Sequence, residues 1–271
     1  MTTTSLRVRV GCEFGYETVG ETPAVVLVRP EGVGHRIRTE NWSTRPNVPY
    51  HDFRDLHGNR ARRLTLPAGR TLMRYDAEVD ISPDPAETNL AARERPVQEL
   101  PDDVLVYTLP SRFCPSDELS DEAWRLFGGV APGWNRVQAI CDYVHGALTF
   151  GYGTSQPLTT AADALRARAG VCRDYAQVAV TFCRSLNIPA RYTFGYLPDI
   201  DVPPPDTPMD FCAWFEAYLE DRWWTFDPRN NARRVGHMAI ARGRDAIDTA
   251  MVTTYGTARL ETMIVWADPI D

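Results

Sequence analysis

"AGVCRDYAQVAVTFCRSLNIPARYTFGY", residues 169–196, is the stretch that decides the fold. Gly170 interrupts the helical pattern before it, and a new helix is predicted to begin near Cys172 and to stop at Asn187, ahead of a proline. Apolar side chains recur along this helix at spacings of four, three and four: Tyr175, Ala179, Phe182 and Leu186. The pattern predicts a buried helix that carries a cysteine in its first turn.

The position of Cys172 gives its thiol a chemical role. The first turn of a helix has unpaired N–H groups and the positive end of the helix dipole, and both favour an anion. A thiol placed there can have its pKa lowered well below about 8.5, and the thiolate is the nucleophilic form. The same N–H groups, including that of Cys172, can stabilise the oxyanion that forms when a carbonyl is attacked. The alternative is that Cys172 is simply a buried helix residue.

A second stretch, "PMDFCAWFEAYLEDRWWTFDPRNN", residues 208–231, reads as two strands around a short turn. Alternation along the first strand places Cys212 and Trp214 on the same face. If the turn is formed by residues 220–221, Trp214 lies opposite Asp227. Asp227 is then on the face of Cys212 and diagonal to it, a separation that side chains can bridge.

Together with "ARGRDAIDTAMVTTYG", residues 241–256, these stretches resemble the bacterial transglutaminase-like superfamily, and more narrowly its two-part members. The resemblance implies a Cys-His-Asp triad, in which a thiolate attacks an amide or ester carbonyl and water or an amine resolves the acyl-enzyme. Matched to the family's motifs, the nucleophile falls on Cys172 and the orienting carboxylate on Asp227. The base falls on Cys212, so a thiol stands where the family has an imidazole.

Two more positions near the chemistry differ from the family pattern. The sequence has Gln177 in the segment that usually reads "GVCRDFAH", and Asn230 in the segment that usually reads "FDARHN". Three local replacements of histidine suggest a natural branch of the family with a rebuilt pocket.

A Cys-Cys-Asp site can act in three ways. In the first, Cys172 is the thiolate and Cys212 the proton donor, because a carboxylate such as Asp227 raises the pKa of a neighbouring thiol. In the second, the two thiols and the carboxylate hold a soft metal, with His237 as a further ligand, although His237 reads more as a surface loop residue. In the third, the two cysteines form a disulfide, or the protein is catalytically silent. We expect the first, with no metal.

Five further residues are candidates for substrate binding. Tyr152, Ser155 and Gln156 precede the nucleophile helix, and one of them can line the pocket or donate to the oxyanion. Gln177 lies on the nucleophile helix, and Trp214 shares the predicted face of Cys212. A plain loop role for the first three residues and a plain core role for the tryptophan are the alternatives.

The chain is predicted to be an α+β protein in two parts. Residues 1–110 are rich in strand patterns and predict a β-sandwich-like domain, which includes a hairpin with its turn at residues 67–69. Residues 111–271 are expected to form the papain-like transglutaminase core that the resemblance implies, with the nucleophile helix packed on an antiparallel sheet.

Composition limits the partners. The chain has 271 residues, 44% of them hydrophobic, and a net charge of −7, which argues against nucleic acid as a partner. No signal peptide and no run of about 18 apolar residues is found, so we expect a cytoplasmic protein without a membrane partner. The expected substrate is a small molecule, a peptide or a carrier-bound acyl group, and no organic cofactor is implied. The sequence carries no signal for an oligomeric state.

Overall fold

A computed structural model describes residues 5–32, 34–203 and 207–270 of the chain. The strands of the first half are β1 (Leu6–Thr18), β2 (Thr22–Val26), β3 (His35–Arg45), β4 (Tyr50–Arg54), β5 (Arg60–Leu66) and β6 (Gly69–Ile81). The helices are α1 (Asp102–Leu105), α2 (Ser120–Phe127), α3 (Trp134–Ala147), α4 (Ala161–Ala167) and α5 (Cys172–Ser185), with 3-10 turns at Val97–Glu99 and Val106–Thr108. The remaining strands are β7 (Thr149–Phe150), β8 (Ala169–Gly170), β9 (Ala190–Tyr196), β10 (Cys212–Leu219), β11 (Arg222–Phe226), β12 (Met238–Gly243), β13 (Val252–Thr254) and β14 (Ala258–Ile270).

The predicted β-sandwich is confirmed in the first half of the chain. One sheet has the strand order β14-β1-β6-β3 and the other β13-β2-β5-β4, with antiparallel pairing throughout. The last two strands of the chain therefore belong to these sheets, because β14 pairs with β1 and β13 pairs with β2. The division into residues 1–110 and 111–271 stays a prediction.

The hairpin expected from β5 and β6 does not form. β6 pairs with β1 from Leu6↔Ile81 to Thr18↔Gly69 and with β3 on its other edge, so no edge is left for β5. β5 pairs instead with β2 and β4 in the second sheet. Gly69, at φ 93°, turns the chain between the two sheets, because that backbone conformation costs glycine little.

The papain-like core places α5 against a four-stranded antiparallel sheet of order β11-β10-β9-β12. Phe182 of α5, with Phe215 and Leu219 of β10, is fully buried in the core between them. The predicted register is confirmed, since the pairs run from Leu219↔Arg222 to Phe215↔Phe226. This α+β architecture agrees with the predicted fold class.

The bounds of α5 are set by local chemistry. The helix begins at Cys172, as predicted, and ends at Ser185. Asn187 then adopts a left-handed φ of 62°, and the N–H of Ile188 donates to the carbonyl of Cys183 at 2.9 Å. This return bond satisfies a carbonyl that the helix end leaves free.

The sandwich and the core share apolar contacts near the cysteines. Phe211, just before β10, stacks on Phe14 of β1 at a ring distance of 6.2 Å and lies 5.4 Å from the ring of Phe194. The hydroxyl of Tyr196 donates to the carbonyl of Val28 at 2.9 Å. These contacts hold the strand that begins at Cys212 against the sandwich. In the described part of the chain, none of the helices is long and apolar enough to cross a membrane.

Candidate active site

The nucleophile candidate is fixed by the turn that starts α5. The buried carboxylate of Asp174 accepts a hydrogen bond from the N–H of Val171 at 2.8 Å, which closes the first turn around Cys172. A Cβ at Gly170 would lie 2.6 Å from the Cβ of Asp174, so only glycine fits there. The sequence Gly-Val-Cys-Arg-Asp therefore builds a tight entry that exposes the thiol of Cys172 in part, at the positive end of the helix.

The two thiols lie beside each other, since both line the same two cavities. Each donates a hydrogen bond to a backbone carbonyl at 3.8 Å, Cys172 to that of Phe211 and Cys212 to that of Ala213. Interaction with Cys212 lowers the pKa of Cys172, against burial, and the N–H of Ala213 acts in the same direction. Interaction with Cys172 raises the pKa of Cys212 well above its usual range, together with burial and the charge of Asp227. Cys172 is thus the thiol that ionises first.

Asp227 lies in the predicted place but does not bind Cys212. Its carboxylate accepts hydrogen bonds from the backbone N–H of Asn230 at 3.0 Å and from the side-chain amide of Asn230 at 2.6 Å. A third bond joins it to Nε2 of His237 at 3.2 Å. Burial raises the pKa of Asp227, but His237 and Asn230 outweigh this effect and hold the pKa below its usual range. Asp227 acts on Cys212 through its charge.

His237, considered from the sequence only as a further metal ligand, bonds to Asp227. The expectation of a surface loop residue is wrong, because its side chain is 9% exposed and packs edge-on against Trp214 at 4.8 Å. Its Nδ1 is buried without a hydrogen-bond partner in the described residues. The loop from β11 to β12 carries His237 across the sheet to Asp227. The sequence shows only a histidine before a strand, since that loop path depends on the order of the strands.

The three loop candidates for substrate binding lie in different places. Tyr152 is exposed and lines a cavity with Cys172. Ser155 and Gln156 instead bind Arg173, through the Ser155 hydroxyl and the Gln156 carbonyl. Ser155 also donates to Asp174, which ties the loop to the start of α5.

The other two candidates are buried beside the site. Gln177 is fully buried, and its Oε1 accepts from the N–H of Ala246 at 3.4 Å, while its Nε2 lacks a partner in the described residues. Trp214 is 1% exposed, lies two residues after Cys212 on β10 and packs against His237. Substrate binding by all five residues stays a prediction.

Two cavities meet at the thiols. One, of about 450 Å³, lies between the sandwich and the core. The other, of about 70 Å³, lies beside the loop before β10. The linings of both include Cys172, Asp210, Phe211 and Cys212. A wider groove of about 840 Å³ between α2, α3 and α4 contains neither thiol.

All six cysteines are free thiols, including Cys172 and Cys212. Within residues 5–32, 34–203 and 207–270, no three His, Cys, Asp or Glu side chains come together in a group that could hold a metal ion. The two thiols therefore lie where two cavities meet, with their pKa values shifted in opposite directions.

Comparisons with known proteins agree with this architecture. Residues 123–228 match the family model of the transglutaminase-like superfamily. An uncharacterised protein of Mycobacterium leprae is 32% identical over 117 residues, 42% of each chain, and one of Mycobacterium tuberculosis is 27% identical over 159 residues, 55% of this chain and 46% of that one. The matched regions thus span less than half the length of these relatives.

A solved structure from Cytophaga hutchinsonii, described as a candidate cysteine protease, is similar over the whole fold. It superposes with a TM-score of 0.88 at 29% identity, covering 99% of this chain and 92% of that chain. Cys172, Cys212 and Asp227 all lie within the region that matches the family model. The resemblance predicted from the sequence is confirmed: residues 123–228 match the transglutaminase-like superfamily, and the fold as a whole is similar to that of the candidate cysteine protease.

Proposed function

We propose that this chain is an enzyme that joins Cys172 to the acyl group of an amide, ester or thioester, with Cys212 as proton carrier. The supporting observation is that both thiols, one of them at the start of α5, line the same two cavities, where their interaction lowers the pKa of Cys172 and raises that of Cys212. A thiolate beside a protonated thiol is a nucleophile beside an acid. The similar protein of Cytophaga hutchinsonii, described as a candidate cysteine protease, supports a role for cysteine. Small molecules, peptides and carrier-bound acyl groups all fit this chemistry.

The first half-reaction forms the acyl-enzyme. Cys172 Sγ bonds to the carbonyl carbon, and the π pair of the carbonyl moves to its oxygen. The N–H groups at the start of α5, which have no partner within the helix, stabilise the oxyanion. The bond to the leaving group then breaks, and the leaving group takes the proton of Cys212. The products are a thioester on Cys172, a neutral leaving group and a thiolate on Cys212.

The interaction between the two thiols also determines when Cys212 gives up its proton. Interaction with the Cys172 thiolate, which includes the effect of its charge, raises the pKa of Cys212. This effect disappears when the sulfur of Cys172 bonds to carbon, so Cys212 becomes a better acid when the leaving group needs a proton. In the second half-reaction the Cys212 thiolate takes a proton from water or an amine, which attacks the thioester. The C–S bond breaks, and Cys172 leaves as a thiolate.

Asp227 supports this cycle at a distance. Its negative charge raises the pKa of Cys212, which keeps that thiol protonated while Cys172 is ionised. The hydrogen bonds from His237 and Asn230 keep Asp227 itself ionised in a buried place. The carboxylate therefore sets which of the two thiols carries the shared proton.

The test is the pH dependence of iodoacetamide labelling at each cysteine of the reduced protein, resolved by peptide mass spectrometry. Cys172 is expected to be labelled at lower pH than any other cysteine. In Cys212→Ala the labelling midpoint of Cys172 should move to higher pH, because its interaction with the Cys212 thiol is gone. Cys114 is the internal reference, since burial raises its pKa to about 12.

Four results would contradict the proposal. One is labelling of Cys172 no faster than that of Cys114, and another is an unchanged labelling midpoint of Cys172 in Cys212→Ala. Labelling of Cys172 that requires prior reduction in every preparation would instead support a disulfide with Cys212. Labelling that requires a chelator would support a metal at the two thiols.

A further inference from the structure

We propose that the cavity of about 450 Å³ beside the thiols is an acyl pocket, so that the substrate is an ester, thioester or amide of an apolar acid of medium chain length or with an aryl end. The inference rests on the proposed acyl-enzyme chemistry and adds to it the class of acyl group. The smaller cavity on the other side of the thiols then receives the leaving group.

The walls of the larger cavity are apolar. Its lining residues include a group of large apolar side chains from distant parts of the sequence: Phe14, Tyr16, Phe194, Met251, Leu260 and Met263. The charged residues in its lining are Arg173 and Asp210. A volume of this size falls in the range of about 300–1,000 Å³ typical of small-ligand sites. Transfer of an apolar group from water into this cavity is favourable, whereas a charged group finds few polar partners there.

The pocket is formed before any substrate arrives. Phe14 and Met263 are opposite each other in the β1–β14 pair, so one wall stands on a continuous sheet. Phe211 packs against Phe14 and Phe194, and it is followed directly by Cys212. Contacts on rigid strands therefore connect the apolar wall to the reacting thiols.

The smaller cavity is the more polar of the two. Its lining carries four charged side chains: Asp199, Asp210, Arg229 and Arg234. Both cavities contact the thiols, so a carbonyl carbon bonded to Cys172 can place one substituent in each. The apolar substituent belongs in the larger cavity, and the polar one belongs beside the charged groups.

The experiment separates the acyl side from the leaving-group side. In one series, p-nitrophenyl esters of acetic, butanoic, octanoic and phenylacetic acids keep the leaving group constant. In the other, acetyl thioesters carry leaving groups of increasing chain length. Adducts on Cys172 are measured by intact mass, and kcat/KM is measured after subtracting the Cys172→Ala rate.

We expect kcat/KM for the octanoyl ester to exceed that for the acetyl ester at least tenfold, since each buried methylene strengthens binding about fourfold. Ala250→Trp, which fills the cavity, and Met263→Glu, which places a charge in its wall, should each lower the octanoyl-to-acetyl ratio about tenfold. Ile264→Glu is the matched control, because Ile264 is the next residue of β14, is 57% exposed and lies outside the cavity lining. The octanoyl-to-acetyl ratio of kcat/KM in Ile264→Glu should equal that of the unmodified protein.

The experiment distinguishes a failure of the acyl-pocket proposal from a failure of the proposed acyl-enzyme chemistry. If Cys172 is acylated by every ester but the octanoyl-to-acetyl ratio is near one, or is unchanged in both pocket variants, the acyl pocket is disproved and the acyl-enzyme stands. A chain-length preference only among the leaving groups would reverse the assignment of the two cavities and overturn the inference. If no ester forms an adduct on Cys172, the proposed function itself fails.

Discussion

At the scale of single residues, Cys212 replaces an imidazole without keeping its hydrogen-bond partner. The family pattern predicts a base bonded to Asp227, but in the structure Cys212 donates to the carbonyl of Ala213 and lies beside Cys172, and Asp227 bonds to Asn230 and His237. A thiol is shorter than an imidazole and a weaker hydrogen-bonding group. The carboxylate therefore finds other donors, and its effect on the site becomes electrostatic.

The first prediction concerns the proton carrier. In Cys212→Ser the hydroxyl can still donate to the Cys172 thiolate, so the alkylation midpoint of Cys172 should move less than in Cys212→Ala. A serine hydroxyl does not ionise near neutral pH as a thiol can, so kcat on the octanoyl ester should fall about 10²- to 10⁴-fold, the usual contribution of general acid–base catalysis. Turnover in Cys212→Ser equal to that of the unmodified protein would exclude Cys212 as the carrier.

The second prediction concerns His237. His237→Ala removes a hydrogen bond from buried Asp227, and we expect the free energy of unfolding at pH 7 to fall by about 1–3 kcal/mol. The pKa of Asp227 is lowered in the folded state, so its contribution is present above the unfolded pKa and is lost as the pH falls through the folded pKa. The loss of unfolding free energy caused by His237→Ala, measured by urea unfolding, should therefore be smaller at pH 3 than at pH 7. His51→Ala, at an exposed position, should change neither value.

At the scale of elements, the start of α5 decides where the nucleophile lies. Asp174 closes the turn by accepting from the N–H of Val171, and Gly170 leaves room for that carboxylate. Ser155 and Arg173 contact the same carboxylate, so the preceding loop is held with the turn. The helix start was predictable from sequence because a glycine and an apolar stripe are both local signals.

The third prediction tests this turn. In Gly170→Ala the new Cβ meets Asp174 at 2.6 Å, and we expect a loss of about 1–3 kcal/mol of unfolding free energy from overpacking, with slower alkylation of Cys172. The matched control is Gly146→Ala in α3, where a Cβ would have no atom within 4 Å. That variant should be stabilised by about 0.5–1 kcal/mol, since alanine is the better helix residue. Equal changes in unfolding free energy for Gly170→Ala and Gly146→Ala, measured by urea unfolding, would contradict this explanation.

At the scale of the whole molecule, the two halves of the chain depend on one another. The apolar core around Phe14 includes residues of the sandwich together with Ala176, Phe194 and Phe211 of the catalytic half. β14 returns from the end of the described chain to pair with β1. Because these contacts are apolar and extensive, we expect the sandwich and the core to unfold together.

The fourth prediction is that Phe14→Ala destabilises both halves by the same amount, about 3–5 kcal/mol, as is usual when a large core side chain is removed. Hydrogen exchange with mass spectrometry should show peptides of β1 and α5 losing protection in parallel. The control is Val19→Ala, at a residue that is 85% exposed. It should leave the protection of both β1 and α5 unchanged. A loss of protection confined to β1 would show that the core is stable by itself.

The sequence determined the elements whose signals are local: α5 from its first residue, the β10–β11 register, and the shared face of Trp214 and Asp227. The turn sets the register of the β10–β11 pair, because Glu220 adopts the left-handed φ of 53° that a two-residue hairpin turn uses. These features depend on residues close together in the chain, so periodicity and turn chemistry suffice to predict them.

Only the tertiary structure decided which side chains meet across the chain. His237 reaches Asp227 because a loop crosses the sheet, and the cavity of about 450 Å³ exists because β1 and β14, more than 200 residues apart, pair beside the thiols. The separation of β5 and β6 into two sheets has the same origin, since β1 and β3 already occupy both edges of β6. Such contacts depend on strand order and packing, and no local pattern of residues contains that information.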